Sequence, residues 1–412
     1  MPNLQISDRQ FFPLFWTQFL GAFNDNLLKN ALVMIVATRA LSVFGVPSDQ
    51  SVALAGGLFI LPFFLFSGIA GELSDKYDKS RVLQSSKLLE IAVMLFSAAA
   101  LWFEDFDFLM ITLFFMGLQS TFFGPAKFSI LPQHLPSEKL MQANAWVEAG
   151  TFLAILLGTI SGGVLVLMPN GLLIVAGVLV LISILGFLTS LFIPLAPSPH
   201  AGHFAMDWNP LSTTWKHFQL SAKDPVVFSA MMAGSWFWFV GAMILSLLPA
   251  LCLKHLNLSE SSITIYLVLF SVGVGFGSFL SSRISKNKVD LRLVFKALIG
   301  MTACLLYLSA FNSSLVVAGI GLFCLSVTSG LYIVPLNTLI QEQSDIKVRS
   351  QVIAAYNISN SFFMVLASIL LMLLFWLKIS MGGIFFILFL MSFAAILRLK
   401  GTLQGSTKKD QE

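Results

Sequence analysis

Charged residues and cysteines are both scarce in this sequence. Asp, Glu, Lys and Arg make up only 11% of its 412 residues, against about 25% in an average soluble domain. The net charge is only +4, so no nucleic-acid partner is predicted. Cys252, Cys304 and Cys324 all fall inside apolar stretches and show neither metal-ligand spacing nor a disulfide framework. We therefore predict buried, unreactive thiols and no metal or other cofactor.

Apolar side chains are correspondingly abundant. Hydrophobic residues make up 57% of the chain, and 40 of them are Phe, whereas about 45–50% is typical of a soluble domain. This excess is too large for one buried core, so most of the chain is predicted to face lipid. The first apolar stretch is too long for a signal peptide and is interrupted at Asn24-Asp25-Asn26, so we interpret it as a retained first span.

A helix needs about 20 apolar residues to cross a bilayer, and twelve stretches approach or exceed this length. The predicted spans are 11–38, 52–73, 82–103, 107–126, 140–167, 171–194, 225–251, 261–282, 293–310, 314–339, 352–376 and 380–397. The longest interruption divides the chain into residues 1–194, a cytoplasmic linker at 195–224, and residues 225–412. Within the linker, Phe204–Phe218 could lie on the membrane surface or could be a plain linker.

The distribution of basic residues predicts the orientation. If both termini are cytoplasmic, only four of the 24 basic residues fall elsewhere: Arg39, Lys254 and Lys378 in outer loops, and Lys29 within a span. Lys87 is among those assigned to the cytoplasmic side. This bias follows the positive-inside rule and supports the number of spans. We predict a multi-pass membrane protein with both termini in the cytoplasm.

The two halves of the chain repeat weakly. The segments Gly117–Trp146 and Gly330–Tyr356 each lead through a short charged loop into the next span, and the intervals Pro125–Trp146 and Pro335–Tyr356 are equal in length. Two related bundles around a site near the middle of the membrane are a common transporter plan. The predicted fold is therefore an all-α membrane protein with twelve transmembrane helices in two pseudo-symmetric six-helix bundles.

Charged residues inside spans are functional candidates, because a charge deep in a bilayer costs at least a few kcal/mol. Asp25 lies near the middle of the first span and shares a helical face with Gln18 and Lys29. Asp25 precedes Lys29 by four residues, the favourable order for an ion pair. With Asn26, Asp25 could contact a zwitterionic head group or couple to a cation; alternatively, the pair could lock the helix to a neighbour.

The fourth and fifth spans carry further candidates. Asn144 and Glu148 share a face of the fifth span. Glu148 could pair with Lys29, bind a ligand amine, carry a proton, or serve only in helix packing. Gln119 could donate a hydrogen bond in a cavity. Lys127 could reach lipid phosphates or guide an anionic head group.

The second half differs in character from the first. Trp236 and Trp238 lie near the middle of the seventh span and could line an apolar path for an acyl chain or simply fill space. No acidic or basic residue lies deep in this half. An amphiphile, with one polar head and one tail, suits such one-sided polarity, although many drug exporters would also fit.

One loop carries a family signature. Between the second and third spans the sequence reads Gly71-Glu-Leu-Ser-Asp75-Lys76-Tyr-Asp-Lys79-Ser-Arg81, which resembles the signature of the major facilitator superfamily. The resemblance implies a cytoplasmic latch, in which these charged residues form bonds to a neighbouring helix end, with the eleventh span as a candidate. A positive loop without a gating role is the alternative. A second copy at Gly277–Arg283 lacks the Asp.

A narrower resemblance spans nearly the whole chain. Phe12–Asn30, Phe123–Pro132 and Ala143–Gly163 are similar to bacterial lysophospholipid transporters. Ser235–Phe239 and Phe270–Ser278 are similar to the version fused to a 2-acylglycerophosphoethanolamine acyltransferase.

The narrower resemblance implies a monomeric carrier that moves lysophosphatidylethanolamine and related lysophospholipids across the inner membrane by alternating access, for reacylation. It also implies a separate acyltransferase partner, because the sequence contains no His-x-x-x-x-Asp motif. Some members carry an Arg in the seventh span that this chain lacks, which leaves the head-group preference open.

Two other functions remain open from the sequence. The first is a proton-coupled exporter of drugs, siderophores or other amphiphiles, with Asp25 or Glu148 as proton carrier. The second is a non-transporting membrane scaffold for a lipid-remodelling enzyme. No catalytic motif is evident, so an enzyme is not predicted.

Overall fold

The computed structural model describes residues 8–198, 205–259 and 261–409. Within these residues the chain forms thirteen α-helices and one isolated β-bridge between Val43 and Val46. The helices are α1 (Phe12–Thr38), α2 (Ser48–Lys76), α3 (Lys79–Trp102), α4 (Phe106–His134), α5 (Ser137–Leu165), α6 (Gly171–Ser190), α7 (Pro210–Ala222), α8 (Pro225–Pro249), α9 (Ser261–Ile284), α10 (Leu291–Ala310), α11 (Leu315–Gln343), α12 (Arg349–Trp376) and α13 (Met381–Lys409). A π-helical turn, Ala250–His255, extends α8. Residues 199–204 of the predicted linker and the extreme termini lie outside the described residues.

Helices α1–α6 and α8–α13 correspond one to one with the twelve predicted spans, and α7 lies in the predicted linker. Eleven helices of the described chain are long and apolar enough to cross a membrane. Helix α1 is not among these eleven, and its middle carries the polar sequence Asn24-Asp25-Asn26 together with Lys29. Helix α1, with its polar centre, is thus the helix that carries Asp25, Asn26 and Lys29, which the sequence analysis selected as candidate site residues.

The predicted fourth span, 107–126, is too short, because α4 continues to His134 through Pro125 and Pro132. The predicted end of this span at residue 126 followed from placing Lys127 on the cytoplasmic side, at the membrane surface. In the structure this lysine is seven residues inside the helix and borders an internal cavity. A long lysine stem can carry its ammonium into a polar cavity, so the charge did not mark the end of the helix.

Short polar residues begin many of the helices. Their side chains accept hydrogen bonds from the first free backbone N–H groups, which would otherwise lack partners. The residues that do this are Asp78 for α3, Asp105 for α4, Asn209 for α7, Asp224 for α8, Asp290 for α10 and Ser314 for α11.

The helices pack mainly within each half of the chain. In the first half, α1 lies against α5 and α6, while α3 lies against α4 and α6. In the second half, α9 and α10 lie against α11, and α8 lies against α12. The largest contacts between the halves are α5 with α9 and α2 with α12. Helices α2, α5 and α12 from these contacts also line the functional site described below.

Helix α7 contacts both α2 and α12, so the linker bridges the two halves. Thr213 lies against Gly68 of α2, and His217 Nε2 is 3.6 Å from Glu72 Oε1. The opposite face of α7 is exposed and includes Leu211 and Trp215. An exposed apolar face is compatible with the membrane-surface alternative, which stays a prediction; Phe204 lies outside the described residues.

Two glycines allow α5 to approach α1 closely. A Cβ atom at Gly158 would collide with the backbone carbonyl of Phe23, and one at Gly162 with that of Leu27. Because the obstacles are backbone atoms, no side-chain rotation can relieve either clash. Small residues at such positions let transmembrane helices pack by close backbone contact. This contact holds α1, with its polar centre, against the rest of the first half.

We expect Gly158→Ala to destabilise the protein. Overpacking costs about 1–3 kcal/mol, which exceeds the gain of up to about 1 kcal/mol from replacing a helical Gly with Ala. The melting temperature in detergent should therefore fall by several degrees. Gly177→Ala is the matched control, because a Cβ at Gly177 meets no atom within 4 Å. Equal melting temperatures for the two variants would contradict the close α1–α5 contact.

Candidate functional site

A cavity of about 340 Å³ lies between the two halves. Its polar side comes from α1, α3 and α4 and consists of Gln18, Asp25, Asn26, Lys29, Lys87, Gln119, Ser120 and Lys127. The rest of the lining is uncharged. Its apolar residues include Phe59, Ile60, Phe63, Ile155, Trp238 and Met364, and its polar residues are Thr151, Asn357, Asn360 and Ser361. All charged groups of the cavity therefore come from α1, α3 and α4, whereas α2, α5, α8 and α12 supply uncharged and mainly apolar side chains.

Asp25 is held on the polar side by one hydrogen bond. Ser120 Oγ donates to Asp25 Oδ2 at 2.8 Å, while Asp25 Oδ1 is buried without a hydrogen-bond partner in the structure. A buried carboxylate oxygen without a donor is costly. A ligand that brings a donor to this oxygen would therefore bind favourably.

The predicted ion pair between Asp25 and Lys29 is not formed in the described structure. Lys29 Nζ instead donates to Asn26 Oδ1 at 3.3 Å and lies 5.7 Å from the centre of the Phe59 ring. The flexible lysine stem lets the ammonium bond to the amide of Asn26 on its own helix and lie beside the aromatic face of Phe59 on α2. Sequence spacing places both side chains on one helical face but does not determine their rotamers.

The sequence analysis missed a second charged pair, on α3. Lys87 Nζ lies 2.6 Å from Glu90 Oε2, and the two side chains are 1% and 0% exposed. Glu90 also accepts hydrogen bonds from Asn24 Nδ2 at 3.1 Å and Gln119 Nε2 at 3.3 Å. Lys87, which the sequence analysis counted among the basic residues of the cytoplasmic side, is thus buried within α3 and lines the cavity. The sequence could have revealed this pair, because Glu90 is an acidic residue inside an apolar span, three positions after a lysine.

These groups form one polar network from Asp25 to Lys87. Ser120 Oγ lies 2.8 Å from Asp25 Oδ2 and 3.1 Å from Gln119 Oε1 and donates its single proton to one of these two acceptors at a time, and Gln119 in turn donates to Glu90. Because each member orients the next, the chain fixes the positions of both Asp25 and Lys87 at the cavity wall. We call this group the Asp25–Lys87 chain.

Lys127 and Trp238 line the cavity, whereas Trp236 does not. Lys127 Nζ lies 4.4 Å from the centre of the Phe128 ring. The Trp238 ring lies nearly parallel to Phe152 at 6.3 Å. Trp236, by contrast, is 8% exposed and stacks on Phe239 at 4.9 Å. Two positions along a helix correspond to a rotation of about 200°, so the two tryptophans face opposite sides.

Asn144 and Glu148 bridge the halves instead of lining the cavity. Asn144 and Gln341 exchange hydrogen bonds of 2.8 and 3.0 Å. Asn337 Nδ2 donates to Glu148 Oε1 at 2.7 Å, and Asn337 Oδ1 accepts from Tyr356 Oη at 3.1 Å. The sequence analysis allowed an ion pair between Glu148 and Lys29. The described residues do not form this pair. These bonds tie α5 to α11 and, through Tyr356, to α12.

Asp75, at the end of α2, binds the N-terminus of α12. The backbone N–H groups of Ser350 and Gln351 donate to its two carboxylate oxygens at 3.1 and 3.2 Å. The free N–H groups and the helix dipole make this end of α12 a favourable site for an anion. This is a contact with the eleventh span, the candidate that the signature suggested; a gating role for it stays a prediction.

The other residues of the signature have different positions. Gly71 lies directly against α12, because a Cβ there would approach Ala354 Cβ to 2.7 Å. Lys79 Nζ lies 4.0 Å from Asp75 Oδ1 and is buried. Lys76 lies beside the ring of Tyr77, and Arg81 is exposed. The link to the second half therefore depends on Gly71 and Asp75, with Lys79 supporting the carboxylate.

A group of hydrogen bonds joins α1–α6 to α8–α13 on one side of the cavity. These are the bonds of Asp75, Asn144 and Glu148 described above and the one between Ser129 and Ser350 at 2.8 Å. We call this side the Asp75 end. The two halves are therefore fastened together at the Asp75 end.

The sequence model of the Major Facilitator Superfamily matches residues 14–368. The chain therefore belongs to the Major Facilitator Superfamily, and it is a multi-pass membrane transporter. The predicted all-α fold of this family is confirmed.

The chain is also similar in sequence to individual proteins that are named as transporters. It is 27% identical to the lysophospholipid transporter LplT of Serratia proteamaculans (strain 568) over 364 residues, which cover 87% of this chain and 86% of the relative. The protein of the same name from Yersinia enterocolitica is 27% identical over 355 residues, covering 85% and 83% of the two chains. The resemblance to bacterial lysophospholipid transporters is thus confirmed.

Solved structures share the fold. The human organic anion transporter MFSD10 (TETRAN) superposes with a TM-score of 0.76 at 14% identity, over 94% of this chain and 99% of that chain. FucP in the outward conformation gives a TM-score of 0.72 at 14% identity, over 94% and 96% of the two chains. At this identity the similarity shows the fold alone.

We expect Asp75→Asn to loosen the Asp75 end. Hydrogen bonds to charged groups contribute about 1.5–3 kcal/mol, so losing the charge should shift the balance between closed and open forms of this end by about tenfold or more. Spin labels at the exposed positions Tyr77 and Ile346, in a cysteine-free background, would report a longer distance population.

Asp290→Asn is the control for this experiment. Asp290 also caps a helix, accepting from Arg292 N at 2.8 Å, but both residues belong to the second half. Its distance distribution should match that of the unsubstituted protein. A similar shift in both variants would mean that the Asp75 contact has no special part in closing this end.

We expect Lys87→Met to destabilise the protein strongly, because it leaves Glu90 buried without a cation. Breaking a buried ion pair costs about 3–5 kcal/mol, whereas replacing both partners by apolar residues is often neutral. The double variant Lys87→Met/Glu90→Gln should therefore recover much of the lost melting temperature, because an amide is uncharged and its oxygen can still accept a hydrogen bond from Asn24 or Gln119. Arg39→Met is the control, because the Arg39–Glu104 pair is exposed and contributes at most about 1 kcal/mol. A double variant no more stable than Lys87→Met would contradict the pairing.

Proposed function

We propose that this protein transports lysophospholipids, such as lysophosphatidylethanolamine, by alternating access. The observation that carries the proposal is the uneven distribution of charge around the cavity. All its charged groups come from α1, α3 and α4, whereas α2, α5, α8 and α12 supply only uncharged side chains, among them the apolar Phe59, Phe63, Ile155, Trp238 and Met364. A molecule with one charged head and one acyl chain is complementary to both kinds of lining at once. The names of the Serratia and Yersinia relatives support the same substrate class.

The polar side offers a partner for each charge of the head group. Lys29, Lys87 and Lys127 supply ammonium groups for the lipid phosphate. The unpartnered oxygen of Asp25 would accept a hydrogen bond from an ethanolamine ammonium. The volume of about 340 Å³ lies at the lower end of the range for ligand sites. We infer that the head group lies against the charged groups of the cavity, while the acyl chain starts along the apolar residues Phe59, Phe63 and Trp238 and extends beyond the cavity.

We propose that the Asp75 end faces the cytoplasm, in agreement with the positive-inside rule. On this orientation the protein lies in the bacterial inner membrane with both termini in the cytoplasm, and the structure corresponds to an outward-facing state. Residues 1–194 and 225–412 would rock as two bundles joined by the linker 195–224. Release of α12 by Asp75 would then open the cytoplasmic side.

The proposal also includes the role of the protein in the cell. The protein acts as a monomeric carrier and not as an enzyme. It delivers lysophospholipid to the inner leaflet, where a separate acyltransferase restores the missing acyl chain. The contacts of Asn144 and Glu148 support a role in holding the two bundles together, and the buried position of Trp236 supports a packing role.

We expect the purified protein in liposomes to move lysophosphatidylethanolamine between leaflets, and Asp25→Asn to reduce the rate by about tenfold or more. The physical reason is that an amide loses the charge-assisted bond to the substrate ammonium, a bond that contributes about 1.5–3 kcal/mol. Leaflet exchange would be followed with a fluorescent lysolipid and a membrane-impermeant quencher.

Glu104→Gln serves as the control, because Glu104 is an exposed residue paired with Arg39 outside the cavity. Its rate should equal that of the unsubstituted protein. No exchange above protein-free liposomes, with the protein shown to be folded, would refute the lysolipid proposal. Binding without exchange would favour the scaffold alternative. Exchange that disappears when a pH gradient is collapsed would instead support proton coupling.

A further inference from the structure

A second cavity, of about 400 Å³, lies at the Asp75 end between α5 and α9. It shares no lining residue with the central cavity. The residues that matter for its chemistry are Trp146 on α5 and Phe279, Ser282, Arg283, Lys286 and Asn287 at the end of α9. Since α5 belongs to the first half and α9 to the second, the cavity straddles the seam between them.

The lining of this cavity is cationic at the rim and aromatic at the base. Arg283 and Lys286 are exposed, and none of the lining residues is acidic. Trp146 and Phe279 meet edge to face at 4.9 Å and form the apolar base. Cations above an aromatic base suit an anionic group attached to a hydrocarbon portion.

The backbone at the end of α9 holds the rim in place. Asn287 N donates to Ser282 O at 3.0 Å, and Lys286 N donates to Arg283 O at 3.3 Å. Lys286 and Asn287 both adopt left-handed backbone conformations, with φ of 52° and 58°. The turn therefore occupies some of the last carbonyls of the helix, which would otherwise repel an anion. It also keeps Lys286 beside Arg283 instead of continuing the helix away from it.

An apolar surface leads away from the cationic rim along α9. Val272 and Phe276 are exposed, at 52% and 56%, and share a helical face with Phe279 and Arg283 through spacings of three and four residues. On a membrane-spanning helix, such exposed apolar residues face lipid chains. The same face thus presents hydrocarbon contacts along the helix and cations where the helix ends.

We propose that this cavity binds the phosphate of an anionic membrane phospholipid, with its acyl chains along Val272 and Phe276. Arg283 and Lys286 neutralise the phosphate, and the aromatic base contacts the glycerol and upper chain. The shared chemistry is a phosphate group, and the apolar face favours a lipid over a soluble phosphate compound. A lipid in this position contacts both halves of the protein beside the closed Asp75 end.

The test is native mass spectrometry of the full chain, titrated with phosphatidylglycerol in mild detergent. We expect Arg283→Gln/Lys286→Gln to weaken the tightest phosphatidylglycerol site by about tenfold or more. Lys288→Gln is the matched control, because Lys288 is an exposed lysine of the same loop that does not line the cavity. It should bind within about twofold of the unsubstituted protein. Melting temperatures would show that all variants are folded.

Three results would overturn the proposal. The first is unchanged affinity in the double variant. The second is an equal loss in Lys288→Gln, which would indicate general attraction of anionic lipid to a basic loop. The third is displacement of the lipid by millimolar inorganic phosphate, which would indicate a site for soluble phosphate compounds. Lysolipid exchange in liposomes does not enter this test, so failure here leaves the proposed transport function untouched.

Discussion

The cost of placing charge inside a membrane protein governs the architecture around the cavity. A buried charge must have a partner or face a polar space. Glu90 meets this requirement through Lys87, Asn24 and Gln119, and Glu148 meets it through Asn337. Asp25 meets it only in part, because one of its oxygens lacks a donor. The incompletely satisfied group is the one at the cavity wall, where a ligand can supply the missing bond.

The same requirement separates two kinds of polar contact. Bonds within the first half, such as the Asp25–Lys87 chain, remain intact if the two halves move as units. Bonds between the halves, at Asp75, Asn144 and Glu148, would have to break in the proposed opening of the Asp75 end. The first kind therefore shapes the site, and the second kind sets the balance between conformations. A few such charge-assisted bonds are enough to bias a two-state equilibrium by one or two orders of magnitude.

The one-sided polarity of the cavity also accounts for the asymmetry between the halves. The first half supplies all the cavity's charged side chains, whereas the second half supplies Trp238, Met364 and uncharged polar groups such as Asn357. A ligand bound between them would keep its charged contacts on the first half, which also supplies the apolar residues Phe59, Ile60 and Phe63 of α2. Movement of the second half would then leave the contacts to the head group unbroken.

Much of the fold and part of the site followed from local sequence properties. Apolar length defined the spans, the loop after the second span carried the family signature, and Asp25 was evident as an acidic residue within an apolar segment. The cavity position of Lys87, its pairing with Glu90 and the helix-terminal partner of Asp75 required tertiary structure. They depend on contacts across 275 positions in the case of Asp75 and Ser350, and on which rotamer a long side chain adopts. Helical periodicity specifies a face; only the packed neighbours decide what that face meets, because the partner, the free space and the competing hydrogen bonds all come from other helices.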